Sequence, residues 1–87
     1  MSLADDIRDR LRPLSPTALE LGDESARHAG HGGADKGGHF RLFIVSAAFA
    51  GRSTLERHRM VYDALGEMMR RQIHAMSITA RTPDEPF

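Results

Sequence analysis

The sequence predicts an α+β domain, a three-stranded sheet with helices packed on one face. Three observations carry this expectation. Apolar residues recur at helical spacing in two segments, one at the start and one between residues 53 and 71. Three other stretches alternate in polarity or are rich in aromatic and β-branched residues, as strands are. The resulting order is helix, strand, strand, helix, strand within 87 residues, a length that supports one domain with a small core. We therefore expect a single domain over residues 1–87, with 82–87 an irregular tail because of Pro83 and Pro86.

The elements follow in order. Ser2 is placed to cap the first helix, and Asp5 and Asp6 fall in its first turn, where the helix dipole favours acids. Leu3, Ile7, Leu11 and Leu14 share a face, Arg8, Asp9, Arg10 and Arg12 fill the other, and Pro13 and Pro16 end the helix. Ala18–Asp23 alternates as a short strand with Leu19 and Leu21 on one side. The stretch Glu24–Phe40, ESARHAGHGGADKGGHF, then breaks all periodicity. It holds five glycines and His28, His31 and His39, and has no large apolar side chain before Phe40. Such a loop is longer than an ordinary hairpin connection, and weak order is expected in it.

Phe40–Ser46 is the strongest strand signal in the chain, and Phe49–Gly51 reads as a turn. Ser53 and Glu56 have the spacing of a capping box. The helix they open is expected to run to Arg71 with Leu55, His58, Tyr62, Leu65 and Met69 on its buried stripe, widened by Val61 and Met68. Gly66 is its weak point, at about 1 kcal/mol against alanine. Ile73–Arg81 is the third strand, with His74, Met76, Ile78 and Ala80 sharing one parity. The expected core sets Leu19, Leu21, Leu42, Ile44, Met76 and Ile78 of the sheet against Ile7, Leu11, Leu55, Tyr62, Leu65 and Met69 of the helices.

Composition narrows the function. Twelve basic and twelve acidic residues give a formal net charge of zero, whereas proteins that live on nucleic-acid phosphates usually carry a basic excess. There is no cysteine, so no disulfide and no thiolate, and the soft metal donors are the five histidines. No apolar run approaches the roughly 20 residues of a membrane span. The opening Met-Ser-Leu-Ala-Asp-Asp is not that of a secretory signal, so a cytoplasmic protein is expected. No nucleophile–base pair, phosphate loop or paired-carboxylate motif stands out, which argues against an enzyme. Asp23-Glu24 reads as a solvated turn.

One ordered series of motifs resembles a known family. It comprises Glu24-Ser25, the glycine-rich loop with its histidines, His39-Phe40, Ile44-Val45-Ser46, Phe49-x-Gly51-x-Ser53, Arg57-His58-Arg59-x-Val61-Tyr62 and Ile73-His74-Ala75-Met76. From about Leu11 to Pro83 the chain closely resembles the BolA family. The resemblance implies a fold like the class II KH domain. It also implies pairing with a monothiol glutaredoxin and a 2Fe–2S cluster shared with that partner and its glutathione, with no cluster in the isolated protein. By position in the family motifs, His74 is one protein ligand. The His28-Ala29 dipeptide makes His28 the other, and His31 is the alternative. A chain without cysteine is not of the cysteine-type branch. Some bacterial members are instead described as transcriptional regulators.

The residues by themselves also allow plainer readings. His74 could be a strand-edge histidine half-buried against the sheet. His28 and His31 could be solvated, or could form a zinc site with His39 or His74, although an all-histidine loop is a weak zinc signal. His39 is expected to be held by the sheet, and His58 to be a satisfied core residue. Arg52, Arg57, Arg59, Arg70 and Arg71 form a candidate basic surface for an acidic partner, for glutathione's carboxylates or for nucleic acid. The RNA-gripping G-x-x-G of KH domains belongs between two helices, and here Gly30-His31-Gly32-Gly33 falls in the hairpin loop. DNA binding through the helix Ser53–Arg71 is the alternative function.

Overall fold

The computed structural model describes residues 2–24 and 38–86. The elements run α1 (Leu3–Arg10), β1 (Ala18–Asp23), β2 (Gly38–Val45), α2 (Thr54–Leu65), α3 (Met68–Arg71) and β3 (Ile73–Arg81), with short 3-10 turns at Arg12–Leu14 and Ala47–Phe49. Both longer helices begin with the same local device. The Ser2 hydroxyl accepts from the Asp5 N–H at 3.1 Å, and the Asp5 carboxylate accepts from the Ser2 N–H at 3.4 Å. Ser53 and Glu56 repeat the exchange at 3.1 and 2.8 Å. Each box satisfies backbone donors that have no partner within the helix.

The sheet order is β1-β2-β3, with β1 antiparallel and β3 parallel to β2. A parallel neighbour needs a crossover, which α2 and α3 supply. The register sets Leu19 beside Ile44, Leu21 beside Leu42, Leu42 beside Ile78 and Ile44 beside Ala80. One face of the sheet is therefore apolar across all three strands. Ile7, Leu11, Leu42, Ile44, Phe49, Val61 and Leu65 are fully buried there, and Leu19, Leu21, Met76 and Ile78 pack around them half-buried.

Three expectations are corrected. The helix foreseen over Ser53–Arg71 is broken: α2 stops at Leu65, Gly66 takes φ +58°, and α3 restarts at Met68. Glycine reaches that left-handed region without a Cβ clash, and the break lets Met68 turn into the core, where it is 4% exposed.

The buried stripe of α2 is also different. It runs through Arg57, Val61 and Leu65, while Leu55 is 60% and Tyr62 40% exposed. His58 sits half-buried at the boundary rather than in the core. A pattern of apolar residues could not place a stripe whose first member is an arginine.

Finally, β2 starts two residues before Phe40. Gly38 donates to the Gln72 carbonyl at 3.0 Å, and a Cβ on Gly38 would lie 2.3 Å from the Phe40 ring. Only glycine lets that buried ring lie against the strand.

Candidate functional site

The ladder between β2 and β3 slips once. Gly38 pairs with Ile73, but His39 pairs with Ala75, leaving His74 as the extra residue of a bulge. A bulge reverses the side-chain alternation that follows from strict pairing. Ile73 is therefore buried at 4%, while His74 and Ala75 are both exposed. This corrects the expectation that His74 shares the sheet face of Met76 and Ile78. The imidazole projects away from the core, at the start of an edge strand.

There it meets a second imidazole. His39, half-buried on β2, places its ring centroid 4.8 Å from that of His74, with 44° between the planes. The His39 carbonyl accepts from the Glu24 N–H at 2.7 Å, and Glu24 pairs with Arg41 at 3.1 Å. The end of β1 and the start of β2 thus lie beside the two rings. These are the two ends of the segment that carries His28 and His31. Both of those histidines, and the weak order foreseen for their loop, lie outside the described residues. Among the described residues no three His, Asp or Glu side chains converge as a metal set. Nothing in a pattern of residue types reveals the meeting of His39 and His74. The one available signal is that each opens a strand.

The other end of β3 is built differently. Arg57 enters from α2 and is 9% exposed. Its Nε donates to the Arg52 carbonyl at 2.9 Å and its Nη1 to the Ala80 carbonyl at 3.1 Å. The two terminal nitrogens grip the Glu85 carboxylate at 2.6 and 2.9 Å. Glu85 also accepts from the Thr82 N–H at 2.8 Å. The Arg57 bonds first, and the Thr82 N–H second, hold the Glu85 carboxyl down at about 2.

Arg57 therefore leaves the basic surface expected of it and becomes a clasp between α2, the end of β3 and the turn at Thr82–Glu85. Arg52, Arg59, Arg70 and Arg71 remain exposed, with Arg71 paired to Glu67 at 3.1 Å. An open cleft of about 470 Å³ lies at the clasp, lined by Arg52, Thr54, Arg57, Arg81 and Glu85. A smaller one of about 230 Å³ takes in His58 and Ile78. Neither includes His39 or His74. Among the described residues no helix is long and apolar enough to cross a membrane.

Comparison with known proteins agrees with this architecture. A family model described as BolA-like protein matches residues 11–85. The chain is 45% identical over 86 residues to SufE-like protein 1, chloroplastic/mitochondrial, of Arabidopsis thaliana, covering 91% of this chain and 23% of that protein. It is 47% identical over 78 residues to human BolA-like protein 1, covering 88% and 56%. It thus spans about a quarter of the first of these relatives and little over half of the second. It is 36% identical over 86 residues to the DNA-binding transcriptional regulator BolA of Escherichia coli K12, covering 98% and 80%. Among solved structures, BolA1 from Arabidopsis thaliana superimposes with a TM-score of 0.84 at 38% identity, covering 99% of this chain and 98% of that one.

Proposed function

The chain belongs to the BolA-like family, and from that premise we propose that it is a non-enzymatic adaptor that binds a monothiol glutaredoxin and lends histidine ligands to a 2Fe–2S cluster held jointly with that partner and its glutathione. The observation that carries this reading is the placement of His74. It stands exposed on a bulge at the start of an edge strand, held in position by the backbone pairing on either side of it. A paired strand is a rigid mount for a metal ligand.

The donor set fits such a group. With no cysteine in the chain, thiolates come from the partner side, and imidazoles replacing thiolates on one iron form an arrangement that such clusters tolerate, at a higher potential. Bound, the cluster would serve iron–sulfur cluster trafficking or iron regulation. His28 is the proposed second ligand and His31 the alternative. His28 lies four residues beyond Glu24, and a chain that long reaches at most about 14 Å. Glu24 is itself bonded to the His39 backbone, and the His39 ring lies against that of His74, so β1 ends beside His74. Arg70 and Arg71 lead directly into the same end of β3 and can meet glutathione's carboxylates or an acidic partner surface.

The test is co-purification with a monothiol glutaredoxin followed by visible absorption and circular dichroism. His74→Ala is expected to bleach or shift the cluster bands, and an unchanged spectrum refutes its role. If His28→Ala is silent and His31→Ala shifts the bands, the loop ligand is His31. The E. coli relative's name supports DNA binding as a second reading. Here it would rest on Arg52 and Arg59 without Arg57, and it requires salt-sensitive binding that Arg59→Ala weakens.

A further inference from the structure

We infer that His39 and His74 together form a two-imidazole seat for a single late first-row divalent cation, of the Cu2+ or Zn2+ class, in the chain without its partner. The inference stands on the observed ring pair and needs neither glutaredoxin nor a cluster.

Geometry is the first support. A metal lies about 2.0–2.1 Å from an imidazole nitrogen, hence about 3.2 Å from the ring centre. Two such arms whose centres are 4.8 Å apart meet at an angle of roughly 100°, which suits tetrahedral or tetragonal coordination. Imidazole lone pairs lie in the ring plane. Parallel stacked rings would aim them past each other, and at 44° the two planes are not stacked in that way.

Rigidity is the second support. His39 pairs with Ala75 on one side and its carbonyl accepts from the Glu24 N–H on the other, and the pairs Gly38–Ile73 and His39–Ala75 bracket His74. Only side-chain torsions are left to adjust. Each ring has two nitrogens, so one can be oriented by a hydrogen bond while the other binds.

The donor chemistry selects the cation. Neutral imidazoles without carboxylate suit zinc, copper and nickel and not magnesium or calcium. Among the described residues no third His, Asp or Glu joins the pair, so the two imidazoles are the ligands on which the seat rests. Because His74 cannot serve two metals at once, a cation in this seat competes with the use of His74 at a shared cluster.

The test uses the full chain alone, titrated with copper(II) chloride and, separately, zinc chloride by calorimetry. Copper is also followed by electron paramagnetic resonance and by paramagnetic broadening of backbone amide signals. One ion per chain is expected, with nitrogen hyperfine structure from two imidazoles and broadening centred on His39 and His74. His74→Ala and His39→Phe should each weaken binding at least tenfold, and the double variant little more than either alone. His58→Ala should bind as the unmodified chain does. Broadening centred on His28 and His31, or binding undiminished in either single variant, overturns the seat. The broadening needs no substitution, so it decides the matter even if His39→Phe folds poorly. Since no glutaredoxin is present, failure here leaves the adaptor reading standing, and failure of the adaptor reading leaves the seat.

Discussion

At its C-terminal end β3 meets Arg57, whose guanidinium bonds two backbone carbonyls and both oxygens of Glu85. At its N-terminal end it carries His74, exposed beside His39. Both residues come from motifs of charged or titratable side chains, Arg57-His58-Arg59 and Ile73-His74-Ala75. One is buried and makes four hydrogen bonds, and the other stands at the surface on a rigid mount. A largely buried guanidinium needs protein partners in place of most of its water. An imidazole that is to bind a metal must instead keep a nitrogen within reach of solvent. The contrast separates a residue bound into the fold from one that the fold holds at its surface.

The comparison breaks most sharply at Arg57. Arg57→Ala takes both guanidinium bonds from Glu85, which keeps the Thr82 N–H, and one donor each from the carbonyls of Arg52 and Ala80, and we expect the largest fall in Tm of this set. Histidine ligation in the folded protein should not change. If metal binding fell while Tm held, the clasp would belong to the site after all. Gly38→Ala is expected to come next. The new Cβ would collide with the buried Phe40 ring, at about 1–3 kcal/mol, and at about 4–8 °C of Tm per kcal/mol thermal unfolding would show it plainly.

The acid limb of stability gives a smaller effect. The Glu85 carboxyl sits at about 2 in the fold against an ordinary 4.5. A lowered value means that the unfolded chain takes up the proton first, so the clasp's contribution is complete above about 4.5. It fades as pH falls from there towards 2. Glu85→Gln should flatten the Tm–pH curve in that window, and a slope there equal to that of the unmodified chain contradicts the assignment. The smallest change in stability belongs to His74→Ala. Exposed and outside the core, it should move Tm by no more than about 4 °C even as the proposed ligation is lost. A large drop would make His74 a structural residue.

Several of these features were legible in residue order because they are local. The cap at Ser2, the box Ser53–Glu56, the span of β1 and that of β3 depend only on neighbours a few positions apart. Arg57 defeated the same reading. Its place in the buried stripe depends on Glu85, 28 residues away, and without that carboxylate an arginine there reads as a surface cation. The pairing of His39 with His74 was hidden for a related reason: a one-residue bulge reverses parity, and bulges leave no mark in alternation.

Fold class, element order, capped helix starts and the family motifs could be read from residue order, since short-range periodicity and ordered motifs are carried by the chain before it folds. Which charged residue is buried, where the second helix breaks and which two imidazoles stand together could not. Each of these depends on register across strands or on partners far apart in the chain, and strand register and long-range burial are set when the sheet closes on its helices.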